Sequence, residues 1–196
     1  MREGMNQNHL IVLAKNPVLG KVKTRLAATI GKEKAIKIYQ ELLRYTCDIC
    51  SKVNGEKTVF YSDFIPKKDI WTAACFNQSL QKGTNLGERM QKAFATIFEK
   101  GTNKVVIIGT DCMEINTEII NEAFEKLTHH DIVLGPALDG GYYLLGMNKR
   151  HDTLFENINW STETVLKETV SAIENQDLSF TFLPVLNDID EEKDLP

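Results

Sequence analysis

One acidic residue follows the most apolar segment of the sequence. Residues 104–109 read KVVIIG, and Thr110 and Asp111 come next. In an open α/β sheet, ligands bind beyond the carboxyl ends of the strands. Carboxylate oxygens there suit Mg²⁺ or Mn²⁺ bridging a diphosphate. We therefore predict Asp111 as the central catalytic and metal-binding residue; a role in capping the next helix is weaker, because Asn116 or Thr117 is better placed.

A basic segment follows the first apolar run, residues 9–14. It carries four cations and one glycine within eleven residues: Lys15, Gly20, Lys21, Lys23 and Arg25. Cations on a loop whose glycine permits close backbone approach suit the phosphates of a nucleotide. The segment lacks the spacing of a P-loop or of a dinucleotide-binding turn. A solvated basic loop remains the alternative.

A third segment pairs an acid with two glycines. Asp139, Gly140 and Gly141 lie between two apolar runs. Paired glycines allow positive φ and leave room for a sugar or base, while Asp139 could receive hydroxyl groups. A plain hairpin with an Asp-Gly turn explains the same residues.

Strand-like and helix-like patterns alternate along the whole chain, which predicts a single α/β domain over residues 1–196 with a mostly parallel sheet between two helical layers. The expected strands cover residues 9–14, 58–61, 104–109, 131–135, 142–147 and 179–183, with a weak strand near residues 75 and 76. The expected helices cover residues 32–53, 85–99 and 117–127, with a helix capped by Ser161 that runs to residue 173 and a short helix or loop over 66–74.

Composition narrows the classes of function. The net charge is −4, and residues 188–196 hold five acids and one lysine, so the preceding body is charge-neutral and a nucleic-acid partner is not expected. No apolar run reaches membrane-spanning length, and the first ten residues show no secretory signal, so we expect a cytoplasmic protein. Cys47 and Cys50 form a C-x-x-C inside a predicted helix, where buried thiols are the favoured interpretation.

Four segments together resemble a known superfamily. AKNPVLGKVKTRL, QKGTNLGERM, VVIIGTDC and GPALDGGYYLLGM resemble the nucleotide-diphospho-sugar transferases with the GT-A fold, a Rossmann-like α/β/α architecture. More narrowly, they resemble bacterial glycosyltransferase-like proteins associated with radical-SAM and selenium-related genes. The resemblance covers almost the whole chain.

The resemblance implies a role for each segment. It implies a nucleotide site formed by Lys15, Gly20, Lys23, Arg25, Gly83, Gly87 and Arg89. It implies that Asp139, a second catalytic carboxylate, faces the acceptor or sugar with Gly140 and Gly141. It also implies that Asp111 binds Mg²⁺ or Mn²⁺ together with Asp188 or Asp190 from the acidic C-terminal motif, for which a solvated tail is the alternative.

Three functions remain open at this stage. The first is glycosyl transfer from a nucleotide-diphospho-sugar to a small-molecule acceptor. The second is nucleotidyl transfer from a nucleoside triphosphate, as in the guanylyltransferases of phospholactate and of the molybdenum cofactor, which share the scaffold. The third is a catalytically silent nucleotide-binding protein, because Cys112 and Met113 follow Asp111 and the second acid of a D-x-D motif is missing. The sequence leaves open whether the chain forms a homodimer.

Overall fold

A seven-stranded sheet organises residues 8–195, the part of the chain that the computed structural model describes. The strands are β1 (Asn8–Ala14), β2 (Glu56–Tyr61), β3 (Asn77–Leu80), β4 (Lys104–Ile108), β5 (Ile132–Pro136), β6 (Tyr142–Met147) and β7 (Phe180–Phe182). The helices are α1 (Thr24–Ile30), α2 (Lys32–Ser51), α3 (Ile70–Ala73), α4 (Leu86–Phe98), α5 (Thr117–Lys126) and α6 (Val165–Glu174), with 3₁₀ turns at Asp152–Phe155 and Glu192–Asp194.

The strand order is β3-β2-β1-β4-β6-β5-β7. All neighbouring pairs are parallel except those of β6, which runs antiparallel to β4 and β5. The carboxyl ends of β1 and β4 therefore lie side by side in the middle of the sheet. The predicted mostly parallel α/β sheet is confirmed.

Helices cover both faces of this sheet. Leu42 of α2 and Ile120 of α5 pack in one cluster with Val12 of β1. Phe94 of α4 packs in a second cluster with Ile11 of the same strand. Adjacent residues of a strand point to opposite faces, so one apolar run supplies both cores. The three-layer arrangement follows from this packing.

Asparagine side chains cap the N-termini of two helices. Asn85 accepts a hydrogen bond from the Glu88 amide at the start of α4, and Asn116 accepts one from the Ile119 amide at the start of α5. Each bond satisfies an amide that the helix leaves unpaired. The cap of α5 is therefore Asn116, and Asp111 has no part in it.

Three local features differ from the predicted elements. Residues 24–30 form a short helix, α1, which the cations around Leu26 concealed; Gly31, at φ 88°, separates it from α2. The third strand starts at residue 77, after Cys75, whose φ of 61° takes it out of extended geometry. Ser161 has φ 67° and caps nothing, and α6 begins at residue 165.

Cys47 and Cys50 are buried free thiols on α2. Burial raises the pKa of Cys47 to about 11, so this thiol stays protonated at neutral pH. No helix within residues 8–195 has the length and apolar character needed to cross a membrane. The expectation that the chain lacks a secretory signal falls mainly on residues 1–7, outside the described part.

Candidate functional site

A cleft of about 810 Å³ opens at the carboxyl ends of β1 and β4. Its lining includes most of the side chains that the sequence proposed for a site: Lys15, Lys23, Arg25, Arg89, Asp111, Asp139, Asp188 and Asp190, with Gly141. Gly20, Gly83, Gly87 and Gly140 do not line it. The structure thus brings the proposed charged residues to one cavity, and four of the proposed glycines are not part of its lining.

Lys23 lies at the centre of the charged groups. Its Nζ atom is 2.6 Å from Asp111 Oδ1 and 3.2 Å from Asp190 Oδ1, and it donates a hydrogen bond of 2.6 Å to the Ile189 carbonyl. The Lys23 side chain is only 4% exposed, whereas the two carboxylates are 41% and 44% exposed. One buried ammonium group therefore joins the β1 loop, the β4 loop and the C-terminal segment.

Lys23 makes these contacts from a left-handed backbone conformation. Its φ and ψ are both 48°, in the left-handed region that non-glycine residues rarely occupy. Residues held in that region occur most often at functional sites, where the surrounding structure fixes them. Here the fixed points are α1, which starts at the next residue, and the two carboxylates that hold the ammonium group.

The acidic C-terminal segment packs against the β4 loop. The Ile189 amide donates to the Asp111 carbonyl at 2.9 Å, and Cys112 forms an antiparallel bridge with Asp188. The Asn187 amide also donates to the Glu114 side chain. These contacts bring Asp188 and Asp190 to the cleft, so residues 187–190 are part of the cleft wall.

Asp188 has a buried carboxyl group. Its Oδ1 atom is buried and has no hydrogen-bond partner. Burial, with repulsion from Asp111 and Asp139, raises the pKa of Asp188 to about 7. A buried polar atom without a protein partner is costly, and water, a ligand or an ion can satisfy it.

Tyr39 and Thr110 support the two central loops. The Tyr39 hydroxyl accepts a hydrogen bond from the Lys15 amide at 2.9 Å and lies 3.2 Å from Thr110 Oγ1. Burial raises the pKa of Tyr39, which keeps the hydroxyl protonated as a donor. Helical spacing puts Tyr39 among the buried residues of α2 and does not show which groups its hydroxyl reaches.

Gln81 and Arg89 form the wall near β2 and β3. Gln81 Nε2 donates to the carbonyls of Ala14 and Phe60, at the ends of β1 and β2. Arg89 donates to Gln81 Oε1 and to the Gly83 carbonyl. A Cβ atom on Gly83, which has φ 141°, would lie 2.9 Å from the Arg89 amide. Gly83 therefore allows the turn that places Arg89.

The residue 137–141 loop joins β5 and β6 as a hairpin. Asp139 accepts a hydrogen bond from the Gly141 amide at 2.8 Å, and the Leu166 amide donates to the Gly140 carbonyl. A Cβ atom on Gly140 would lie 2.1 Å from the Glu163 carbonyl oxygen. Gly140 thus lets the residue 160–163 segment pack against the hairpin, while the exposed Asp139 carboxylate lines the cleft.

Trp160 lines the cleft beside that segment. A Cβ atom on Gly87 would lie 2.2 Å from the indole ring, so the absence of a side chain lets α4 pack against it. Trp160 also stacks on Phe155, with ring centroids 6.3 Å apart. No sequence motif marks Trp160, which precedes Ser161, as a functional residue.

A family model described as "Uncharacterized protein conserved in bacteria (DUF2064)" matches residues 46–162. The chain belongs to this family. A crystal structure from Desulfovibrio desulfuricans G20, provisionally assigned as a nucleotide-diphospho-sugar transferase, is 30% identical and covers 95% of this chain and 84% of its own, with a TM-score of 0.88. No protein of curated function matches the sequence.

More distant structures share the fold of this DUF2064 protein. The inositol-1-phosphate CTP transferase of T. maritima is 15% identical, with 96% and 91% of the two chains covered and a TM-score of 0.64. Glucosyl-3-phosphoglycerate synthase of Mycobacterium tuberculosis, solved with Mn²⁺ and UDP, is 11% identical, with 92% and 70% covered and a TM-score of 0.56. The 30% identical relative supports the nucleotide-diphospho-sugar transferase superfamily expected from the sequence, and the more distant structures share the fold.

The acids of the cleft have the chemistry that a divalent cation requires. Asp111, Asp188 and Asp190 offer hard oxygen atoms, and the buried Asp188 Oδ1 lacks a partner. Within residues 8–195, no three His, Cys, Asp or Glu side chains already form a group that could hold a metal ion. Mg²⁺ commonly uses one or two carboxylates and completes its shell with water and substrate phosphates. The residues therefore fit a cation that arrives with a phosphorylated ligand.

Proposed function

We propose that this DUF2064 protein is a nucleotide- and divalent-metal-dependent transferase that uses a nucleotide-diphospho-sugar as glycosyl donor. The observation that carries the proposal is the meeting of Lys23, Asp111 and Asp190 at the base of the cleft. A nucleoside diphosphate with a bound cation has the alternating charges that such a constellation recognises. The 30% identical relative, provisionally assigned as a nucleotide-diphospho-sugar transferase, supports the same class.

The cations of the β1 loop would bind the diphosphate. Lys15, Lys21 and Arg25 are exposed and line the cleft around the buried Lys23. Arg25 can engage phosphate oxygens in a bidentate manner, and the lysines add positive charge. Together they would hold the donor and stabilise the charge that grows on the leaving diphosphate as the glycosyl bond breaks.

Asp111, with Asp190 or Asp188, would hold Mg²⁺ or Mn²⁺. When bound, the cation would supply Lewis-acid neutralisation of the phosphate oxygens. Asp139 would accept the proton of an acceptor hydroxyl, because its carboxylate is exposed in the cleft beside the hairpin. We also propose that the protein is located in the cytoplasm.

Nucleotidyl transfer is the second candidate, and one observation favours it. The acids that meet at Lys23 come from two distant segments, the β4 loop and the C-terminal segment, and not from a single D-x-D motif. The likeness of fold to the inositol-1-phosphate CTP transferase is compatible with that chemistry. In this reaction an acceptor oxygen would attack the α-phosphate of a nucleoside triphosphate and release pyrophosphate.

A thermal-shift screen separates these functions. The purified protein is heated with nucleoside diphosphates, triphosphates and nucleotide-sugars, each with and without Mn²⁺, because a ligand of the folded state raises the midpoint. A Mn²⁺-dependent shift with one nucleotide-sugar and its free diphosphate supports glycosyl transfer. A shift with one triphosphate alone supports nucleotidyl transfer. The absence of any shift contradicts both and favours a catalytically silent protein.

A further inference from the structure

All the ammonium hydrogens of Lys23 have protein acceptors. Its Nζ atom lies 2.6 Å from Asp111 Oδ1, 3.2 Å from Asp190 Oδ1 and 2.6 Å from the carbonyl oxygen of Ile189. A lysine ammonium group has three donors and no acceptor. In this arrangement Lys23 therefore has no N–H group left for a phosphate oxygen, although the sequence resemblance implies a place for it in the nucleotide site.

The other cations of the β1 loop differ from Lys23. Lys15, Lys21 and Arg25 are exposed, and none of the ion pairs within residues 8–195 includes them. The Lys23 side chain, by contrast, is 4% exposed and is held by two carboxylates. The cleft thus offers exposed cations to an anionic ligand and keeps one buried cation bound to its acids.

The carboxylates that hold Lys23 are among those proposed to hold Mg²⁺ or Mn²⁺. A divalent cation bound to both Asp111 and Asp190 would lie beside the ammonium group, and the two positive charges would repel each other. The ammonium group also neutralises part of the negative charge that attracts the cation. Lys23 and a divalent cation are therefore alternatives at these two carboxylates.

The ammonium group leaves one oxygen of these acids unsatisfied. Asp188 forms an antiparallel bridge with Cys112, the residue after Asp111, and its buried Oδ1 atom has no hydrogen-bond partner. The donors of Lys23 are already used, whereas an octahedral cation such as Mg²⁺ has more ligand positions. The unsatisfied oxygen is thus a separate observation that favours a cation with more ligand positions than an ammonium group has.

We infer that the Lys23 ammonium group is an internal counter-ion that competes with Mg²⁺ or Mn²⁺ for Asp111 and Asp190. The cation then binds together with a phosphorylated ligand and not before it. This inference rests on the proposed transferase function and adds the order in which its ligands bind. Lys23 lines the cleft, and the rotatable bonds of its side chain allow the ammonium group to turn toward a ligand. Phosphate oxygens would replace the acceptors that Lys23 gives up, which couples the two binding steps.

Titration with Mn²⁺ alone tests the competition. Electron paramagnetic resonance of free Mn²⁺ measures the Kd without nucleotide in the native protein, Lys23→Met and Lys23→Gln. Both variants remove the charge, and the glutamine keeps an N–H donor for the Ile189 carbonyl. The control is Lys32→Met, because Lys32 is exposed beside Gly20 of the β1 loop and does not line the cleft. Circular dichroism and urea denaturation establish that each variant is folded.

We expect both Lys23 variants to bind Mn²⁺ alone at least about tenfold more tightly than the native protein, because a like charge beside the cation is removed. Lys32→Met should bind Mn²⁺ as the native protein does. Equal Mn²⁺ affinity in the native protein and the folded Lys23 variants overturns the inference, and so does a gain of the same size in Lys32→Met.

A measurement on the native protein decides the matter even if neither Lys23 variant folds. Micromolar binding of Mn²⁺ alone by the native protein overturns the inference, because the ammonium group would then not exclude the cation. The proposed function is tested separately. It fails when no nucleotide or nucleotide-sugar raises the unfolding midpoint of the native protein in the thermal-shift screen.

Discussion

His9 and Asp188 are titratable residues with buried polar atoms near opposite ends of the sheet, and their surroundings differ. At the amino end of β1, His9 is 1% exposed, and its Nε2 atom lies 2.8 Å from Thr58 Oγ1. Burial lowers the pKa of His9 to about 4, so the ring is neutral and paired. At the carboxyl end, Asp188 has a buried oxygen without a partner, and burial raises its pKa to about 7.

The contrast concerns these two groups: His9 is neutral and paired, whereas the Asp188 oxygen has no protein partner. A neutral paired histidine contributes to the core without needing anything further. A carboxylate kept partly buried beside other carboxylates lowers stability until a cation or proton joins it. Variants at the two ends should therefore change different properties.

The largest expected effect is on metal-dependent ligand binding at the carboxyl end. Asp111→Asn should weaken Mn²⁺-dependent nucleotide binding by about a hundredfold, because a charged metal ligand becomes a neutral amide. Calorimetry with and without Mn²⁺ measures the change. Glu56→Gln, an exposed acid at the amino end of β2, should leave the affinity unchanged. Equal Mn²⁺-dependent affinity in Asp111→Asn and native protein would refute the role of Asp111.

The second effect is a gain in stability at the same end. Asp188→Asn should raise the free energy of unfolding at pH 7 by about 2 kcal/mol in EDTA, because the desolvated charge is removed. The folded protein holds a proton on Asp188 up to about pH 7, whereas the unfolded value is 3.8. Native stability therefore falls as the pH rises through that window, and the variant should lose this slope.

Urea denaturation across the pH window measures the Asp188 effect. Asp190→Asn is the informative counterpart, because it removes a partner of the Lys23 ammonium group and should not stabilise. A stability gain in both variants would point to general relief of negative charge and would contradict a specific cost at Asp188.

The residues that line the cleft could be predicted from the sequence better than the contacts between them. The run of apolar residues before Asp111 indicates a buried strand, and the position of the acid at its end follows from sheet geometry. The approach of Asp190 to Lys23 spans 167 residues and depends on the C-terminal segment packing against the β4 loop. No local pattern encodes that contact, so the sequence alone is equally compatible with a solvated tail.

The predicted helix starts differ from the observed ones where the flanking residues do not follow the usual capping preferences. Thr24–Ile30 is helical although Lys23, its first flanking residue, adopts a left-handed backbone and offers no side-chain cap. Its first two residues, Thr24 and Arg25, have the polar character of a loop, and only Leu26 is buried. Ser161 has the composition of a cap, yet the packing of residues 160–163 against Gly140 places it outside the helix.

The third effect belongs to the amino end and has the opposite pH dependence. The pKa of His9 is 6.5 in the unfolded chain and about 4 in the folded protein. Between these pH values His9 is protonated in the unfolded chain and neutral in the folded protein. Native stability should therefore fall by about 2 kcal/mol as the pH drops from 6.5 to 5. His9→Gln should flatten this slope, as urea denaturation at several pH values can measure.

Two further charged residues, Glu56 and Lys100, act on the His9 ring, so the His9→Gln variant is needed to assign the pH dependence of stability to His9 itself. Glu56 Oε2 lies 3.7 Å from His9 Nδ1, whereas the charge of Lys100 lowers the pKa. An unchanged slope in His9→Gln would assign the acid sensitivity to other groups. Since the His9 and Asp188 slopes oppose each other, the two variants should shift the pH of maximum stability in opposite directions.

The smallest effect concerns the exposed cations of the β1 loop. Arg25→Ala should weaken nucleotide binding by about tenfold at low salt, and the loss should shrink as ionic strength rises, because the lost contact is a screened charge interaction. Lys57→Ala removes a cation at the amino end of β2 that lies outside the cleft, and should bind nucleotide as the native protein does. Equal losses in both variants would mean that net charge, and not the placement of cations around the cleft, attracts the ligand. A loss confined to Arg25→Ala that persists at high salt would instead indicate a bidentate contact shielded from solvent, and would place the diphosphate deeper against Lys23.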